Sequence, residues 1–275
     1  MQLSVVIPCL NESDTIATCV KKARSTIAGL DSESEVIVAD NGSADGSQAL
    51  ALAAGARIVS VPEKGYGNAL MGGIDAAKGR YVILADADDS YDFRQIPLFL
   101  DKLRAGNDLV LGCRLPSGGG LILPGAMPWL HRWLGNPLFS FLARSWFHAP
   151  IHDVNCGMRG LSKDLYRRLE PRCTGMAFAT EMVIKACLLG AKIAELPVTL
   201  RPDGRKNHPP HLRTFRDGWD TLRVFLLFNP RARWFTRLLG LSKANIQGNG
   251  AELYETHQPR TKGQLKRARE SDEKK

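Results

Sequence analysis

No stretch of these 275 residues approaches the roughly 20 uninterrupted apolar residues that cross a bilayer as a helix. The longest apolar runs, around 138–147 and 224–228, are short and flanked by arginine, so a membrane-spanning helix has no segment to rest on. The start, Met1-Gln2-Leu3-Ser4, lacks the charged region and apolar core of a secretory signal. The six cysteines (Cys9, Cys19, Cys113, Cys156, Cys173 and Cys187) form no C-x-x-C pair. They predict reduced, buried thiols in a cytoplasmic protein rather than a zinc site or a disulfide framework. His131, His148, His152, His208 and His211 show no metal-ligand spacing and predict surface or capping roles. There is no internal repeat.

What is present is an apolar fraction of 44%, enough to fill a core, and a net charge of +9 that is unevenly placed. Residues 201–240 carry nine Arg/Lys against three Asp. Such a block beside aromatics suits phosphate groups, an anionic membrane surface or nucleic acid. The chain has no recognisable nucleic-acid module, so nucleic acid is the disfavoured partner.

The pattern alternates. Strands are predicted at 3–8, 35–39, 57–61, 81–85 and 108–112, with helices at 11–30 (Ser13 its N-cap), 45–54, 67–77 and 96–104 between them. This predicts an α/β fold with a mostly parallel sheet covered on both faces and ligands at the strands' carboxyl ends. The polar clusters fall there: Asn11-Glu12, Asp40, Lys64-Gly65, Asp86/Asp88 and Arg114. Gly118-Gly119-Gly120 is predicted to be a flexible break. After it, Trp129, Trp133, Leu138, Phe141 and Trp146 share a segment with Arg132 and Arg144, fitting either a core helix or one lying in a membrane interface. Pro128 suits its start, and Pro137 is expected to interrupt it. Residues 155–162 read as turn and strand, 179–189 as helix, 193–200 as a strand broken at Pro197, and 212–228 as a second amphipathic helix. Domain limits are expected at 1–230, with a basic, flexible tail at 231–275.

The sharpest motif is Asp86-Ala87-Asp88, where an apolar strand runs into acids. They form the strand's carboxyl end, and alternation sends both carboxylates to the same side. Two hard oxygen ligands suit Mg²⁺ or Mn²⁺, with a substrate's phosphates completing the coordination. Asp-rich turns also cap helices and bind water, so this motif alone is weak.

Four segments in order strengthen it: Val-Val-Ile-Pro-Cys-Leu-Asn-Glu at 5–12, Val-Ala-Asp-Asn-Gly-Ser-Ala-Asp-Gly at 38–46, Lys-Gly-Tyr-Gly-Asn-Ala at 64–69 and Asp-Ala-Asp-Asp at 86–89. Together they resemble the GT-A glycosyltransferases of family 2, over roughly residues 3–230. Gly-Cys-Arg at 112–114, the run ending at Arg132, Asp-Val-Asn-Cys-Gly-Met-Arg at 153–159 and Glu195-Leu-Pro-Val resemble the polyprenyl-phosphate group, which includes dolichol-phosphate mannose and glucose synthases.

That resemblance implies a GT-A, Rossmann-like fold with C-terminal amphipathic helices. It implies a metal-dependent, inverting transfer of a hexose from UDP-glucose or GDP-mannose to a polyprenyl phosphate at the cytoplasmic membrane face. Pro8, Asn11 and Glu12 then shape the nucleoside pocket, Asp40 accepts hydrogen bonds from the base, and Lys64 faces the diphosphate. Asp86 and Asp88 hold the metal. Arg159 and Arg201 grip phosphates, and Arg114, Arg132 and Arg205 seat the acceptor phosphate; Asp88, Arg114 and Arg159 are the expected catalytic set. Glu181 is expected to orient a basic residue.

The sequence departs from the resemblance in three places. Asp89-Ser90 follows the Asp-Ala-Asp step, adding charge. Arg205-Lys206-Asn207-His208-Pro209-Pro210 replaces the usual Arg-x-x-Gly-x-Ser-Lys. A hydrophilic tail follows where many relatives continue into transmembrane helices. The enzyme is therefore expected to be peripheral, truncated, or paired with a separate membrane subunit. Two alternatives stay open: a soluble acceptor, and a non-catalytic nucleotide-sugar-binding partner of a membrane transferase.

Overall fold

The computed structural model describes residues 1–30, 32–206, 214–229 and 232. The expected tail at 231–275, apart from Ala232, and the stretch holding His208 and His211 lie outside the described residues.

β1 (Leu3–Cys9), β2 (Ser34–Asp40), β3 (Arg57–Ser60), β4 (Tyr81–Leu84), β5 (Leu109–Cys113), β7 (Arg159–Ser162) and β8 (Ile193–Pro197) form one sheet in the order β3-β2-β1-β4-β7-β5-β8. Its first four strands are parallel, as are β5 and β8, whereas β7 runs antiparallel to both neighbours. β1, β4 and β5 are buried along their whole length, because their apolar runs are covered on both faces.

Alternation sorts the side chains. Val5 and Ile7 face the layer of α1 (Ile16–Ala28), α2 (Ser47–Ala53) and α4 (Ile96–Arg104), while Val6 faces the other layer. That second layer is α3 (Tyr66–Ala76), α5 (Asn136–Phe147), α6 (Lys163–Leu169), α7 (Phe178–Leu188) and α8 (Thr214–Phe228). A small second sheet pairs β6 (Leu121–Ile122) with β9 (Thr199–Leu200). Strand order reverses between β1 and β4, which opens a crevice beyond their carboxyl ends.

The parallel core agrees with the expected elements; β7 and α6 carry the differences. A four-residue strand with a glycine inside, Arg159-Gly160-Leu161-Ser162, gives little periodic signal for its direction. α1 begins at Ile16 rather than at Asn11, since residues 10–15 form a loop with Asn11 at φ 55°. Ser13 caps nothing there; its N–H donates to Asp45 Oδ2 at 2.9 Å. β4 ends at Leu84, so strand alternation does not orient Asp86 and Asp88, which sit in the following loop and turn. The triple glycine is not a loose break. A Cβ at Gly120 would stand 2.1 Å from Cys113 O, and one at Gly118 2.4 Å from Cys113 Sγ.

Pro128 lies just before the aromatic helical segment. Ahead of α5 the chain makes a π-helical turn at His131–Gly135, and Pro137 follows as α5's second residue, so the helical path continues while its register shifts. α8 is anchored by Phe225, which is fully buried and stacks on Phe139 with centroids 5.9 Å apart. Trp146 and Phe147 meet the same ring at 6.3 and 6.1 Å. Among the described residues no helix is long and apolar enough to cross a membrane. Phe225→Ala is expected to cost about 3–5 kcal/mol of stability, read as a lowered urea midpoint, because three rings lose their common contact.

Candidate active site

Three loops meet at the crevice. The loop after β1 is knit to the loop after β2: Asn11 N–H donates to Ser43 Oγ at 2.9 Å, Ala44 N–H to Asn11 Oδ1 at 2.9 Å, and Glu12 N–H to Ser47 Oγ at 2.8 Å. Pro8 is buried in β1 itself. Asp40 is fully buried, and its carboxylate accepts from Gly42 N, Ser43 N and Gln48 Nε2 at 3.0, 3.2 and 2.6 Å. It shapes the loop after β2. Lys64 Nζ donates to Asn41 O at 2.5 Å and Gly42 O at 3.3 Å, closing the same loop.

The loop after β4 carries the acids. Asp86 Oδ1 accepts from Tyr66 Oη at 2.8 Å. Its other oxygen fills the space beside Gly157, where a Cβ would stand 2.1 Å away. Gly157 N–H is itself held by Tyr91 Oη at 2.9 Å. Burial pushes the Asp86 carboxyl up and Asp88 adds to it, while Tyr66, Arg114 and Arg159 oppose. Asp88 accepts from Ser90 N at 3.0 Å and Ser90 Oγ at 2.6 Å. The added charge of Asp89 is offset by Lys22, whose Nζ lies 2.7 Å from both its oxygens.

Glu12 joins this group. Burial pushes it up to about 7; Arg205 opposes the rise, whereas Asp88, Asp203 and Asp86 reinforce it. Arg205 Nε lies 2.9 Å from Glu12 Oε2 and its Nη2 3.2 Å from Asp88 Oδ2.

A third group lies beneath. Arg114, nearly buried, forms a two-pronged pair with the fully buried Asp153, Nε–Oδ2 at 2.7 Å and Nη2–Oδ1 at 2.9 Å. Asp153 is fixed in turn by Glu195, whose Oε1 accepts from His152 N and Asp153 N at 2.7 and 3.0 Å. Arg114 also acts on His131 at the start of the aromatic segment: burial and then Arg114 hold that imidazole's pKa down, with Asp217 opposing. Arg132 lies over the Trp133 ring at 5.4 Å, and Arg201 pairs with Asp92 at 3.3 Å.

Arg159 corrects its expected phosphate grip. It is 2% exposed, and its guanidinium donates to Cys156 O and Ala179 O. What it supplies is a positive field beneath Asp86. Glu181 does pair with a basic residue, Lys185 at 2.7 Å, deep in α7. Tyr66, Tyr91, Gly157 and Asp153 emerge only from the structure as the groups that position Asp86 and Arg114, although all but Tyr91 lie inside motifs already singled out.

Among the described residues no three His, Cys, Asp or Glu side chains converge as a complete metal site. Two half-buried carboxylates that repel each other fit a hard divalent cation that brings its remaining oxygens on a diphosphate. The residues present therefore suit Mg²⁺ or Mn²⁺ together with a nucleotide.

Residues 4–170 match the profile of Glycosyl transferase family 2. The chain is 36% identical over 246 residues to the low-salt glycan biosynthesis hexosyltransferase of Haloferax volcanii, covering 89% of this chain and 58% of that protein. It thus spans less than two thirds of that relative's length. It is 32% identical over 200 residues to the dolichyl-phosphate hexose transferase of Haloferax volcanii, covering 72% of this chain and 82% of the relative. The glucosyl-3-phosphoglycerate synthase of Mycobacterium tuberculosis, solved with Mn²⁺, uridine diphosphate and phosphoglyceric acid, has the same fold. Its TM-score is 0.66 at 24% identity, over 82% of this chain and 78% of that one.

The raised Glu12 carboxyl has a consequence for stability. Between its ordinary 4.5 and about 7 the folded chain holds a proton that the unfolded chain has released. Glu12 therefore makes stability fall as pH rises through that window. Glu12→Gln is expected to flatten this part of the profile, measured as urea midpoint against pH.

Proposed function

The chain belongs to glycosyl transferase family 2, and within it we propose that it moves a hexose from a nucleotide diphosphate sugar, UDP-glucose or GDP-mannose, to a polyprenyl phosphate at a membrane surface, inverting the anomeric carbon.

One observation carries the reading. An exposed aromatic ridge runs through the segment that follows β5 and Arg114, from Trp129 into α5. On that ridge Trp129 is 73% and Trp133 62% exposed, with Leu134, Leu138 and Phe141 also bare; Phe215 and Trp219 of α8 are exposed as well. Apolar surface flanked by arginines suits an interface with lipid headgroups. A phosphate tethered to an apolar tail would thus reach Arg114 while its tail stayed against the ridge. The dolichyl-phosphate relative supports the same acceptor class.

The loops of β1 and β2, with Asn11, Glu12 and Asp40, face the nucleoside. When bound, a Mg²⁺ or Mn²⁺ ion held by Asp86 and Asp88 neutralises charge on the departing nucleotide diphosphate. The acceptor phosphate is already an anion near neutral pH, so no general base is required. Its oxygen forms the new bond to the anomeric carbon as the bond to the nucleotide diphosphate breaks, and a single displacement inverts the centre. Arg114 orients that phosphate because Asp153 and Glu195 lock its fork before the substrate arrives. Arg132, Arg201 and Arg205 add positive charge along the acceptor's approach. Tyr66 and Gly157 fix Asp86.

Asp88→Asn is expected to lower transfer to polyprenyl phosphate by about a hundred-fold or more while the thermal unfolding profile stays cooperative. Wild-type turnover in that variant would refute the role. Replacing Trp129 and Trp133 together by alanine is expected to reduce flotation with anionic liposomes by roughly ten-fold. Undiminished flotation, or equal turnover on a soluble phosphorylated acceptor, would count against the lipid acceptor.

A further inference from the structure

Residues 201–206 run back over the acidic turn and are laced to it by backbone. Arg201 N–H donates to Ser90 O and Gly204 N–H to Asp88 O, each at 2.9 Å, and Lys206 N–H reaches Asp14 Oδ2 at 2.9 Å. The segment lies flat on the turn: a Cβ at Gly204 would stand 3.2 Å from Asp88 O and 3.1 Å from Thr15 Cγ2. This lacing delivers one side chain, Arg205, into the acid cluster.

Arg205 is surrounded by three carboxylates. Its Nε lies 2.9 Å from Glu12 Oε2 and 3.4 Å from Asp203 Oδ2, and its Nη2 lies 3.2 Å from Asp88 Oδ2. The side chain is only 11% exposed. Its hydrogen bonding is nevertheless incomplete, since Nη1 is buried with no partner among the described residues. A buried donor without an acceptor is costly. Charge, more than fit, therefore holds the guanidinium here, and an oxygen-rich ligand would satisfy it better.

We propose that Arg205 is an internal counter-ion occupying the cation position at Asp88, and that a divalent ion enters only as the guanidinium leaves, an exchange driven by the phosphates of a nucleoside diphosphate that accept the released guanidinium. This rests on Asp86 and Asp88 being the cation's ligands. The backbone contacts of 201–206 persist through the exchange; the side chain alone moves. Ion and nucleotide then bind cooperatively, each raising the other's affinity by the same factor, and neither is held well alone.

The test is Mn²⁺ titration of the full chain, followed by electron paramagnetic resonance, with and without UDP. Wild type is expected to bind Mn²⁺ weakly alone and much more tightly with UDP. Arg205→Ala is expected to bind Mn²⁺ alone roughly ten-fold more tightly and to lose most of the gain from UDP, with Arg205→Gln behaving the same way should the alanine variant fold poorly. Mn²⁺ should also raise the Tm of the Arg205 variants more than that of wild type. Lys22→Ala removes a positive charge from the same turn, at Asp89, without vacating Asp88. It should change Mn²⁺ affinity by less than about three-fold. Equal gains in the Lys22 and Arg205 variants, or no gain in either Arg205 variant, would overturn the exchange. Asp88→Asn separates the two failures. If it abolishes Mn²⁺ binding while the Arg205 variants match wild type, the exchange alone is wrong. If it leaves Mn²⁺ binding intact, the assignment of the ligands falls as well.

Discussion

Carboxylates withdrawn from water need positive charge beside them, and the carboxyl edge of this sheet withdraws several. Glu12, Asp86 and Asp88 come from the ends of two adjacent parallel strands, which the reversal of strand order brings to one crevice. Their mutual repulsion and burial raise Glu12 and Asp86. Much of the surrounding structure answers that charge: Arg205 from above, Arg114 and Arg159 from beneath, and Lys22 at the flank. A cluster of acids this dense suits a cation.

The supports differ in kind. Arg114 and Asp153 form a buried, two-pronged pair whose geometry is set by the Arg114 N–H, just after β5, and by Glu195. A pair of this sort contributes orientation more than stability, since desolvating both ions offsets most of their attraction. Arg205 is the opposite case. It rests in a loop laid over the crevice and keeps an unsatisfied donor, so its position is replaceable. The rigid arginine suits seating a phosphate, and the loosely held one suits exchange.

The aromatic segment joins chemistry to surface. The π-helical turn at His131–Gly135 and the proline that follows break the regular register of the helix. Phe139 and Phe147 face Phe225 and the core, while Trp129 and Trp133 stay in solvent. One side of the segment is thus core, as one of the two alternatives in the sequence has it, and the other side is exposed.

Local pattern in the sequence was enough to establish the alternating strands and helices, the two-sided sheet and the collection of polar residues at its carboxyl ends. Period and turn chemistry are short-range properties, carried by runs such as Leu3–Cys9 and Tyr81–Leu84 themselves. Only the tertiary structure decided which charge meets which. Arg114 finds Asp153 across 39 residues and Arg205 finds Asp88 across 117, and the antiparallel β7 turns Arg159 inward to the carbonyls of Cys156 and Ala179. Those partnerships depend on the order of strands in the sheet. They depend also on what remains exposed once the core is filled, and neither is written in any single stretch of the chain.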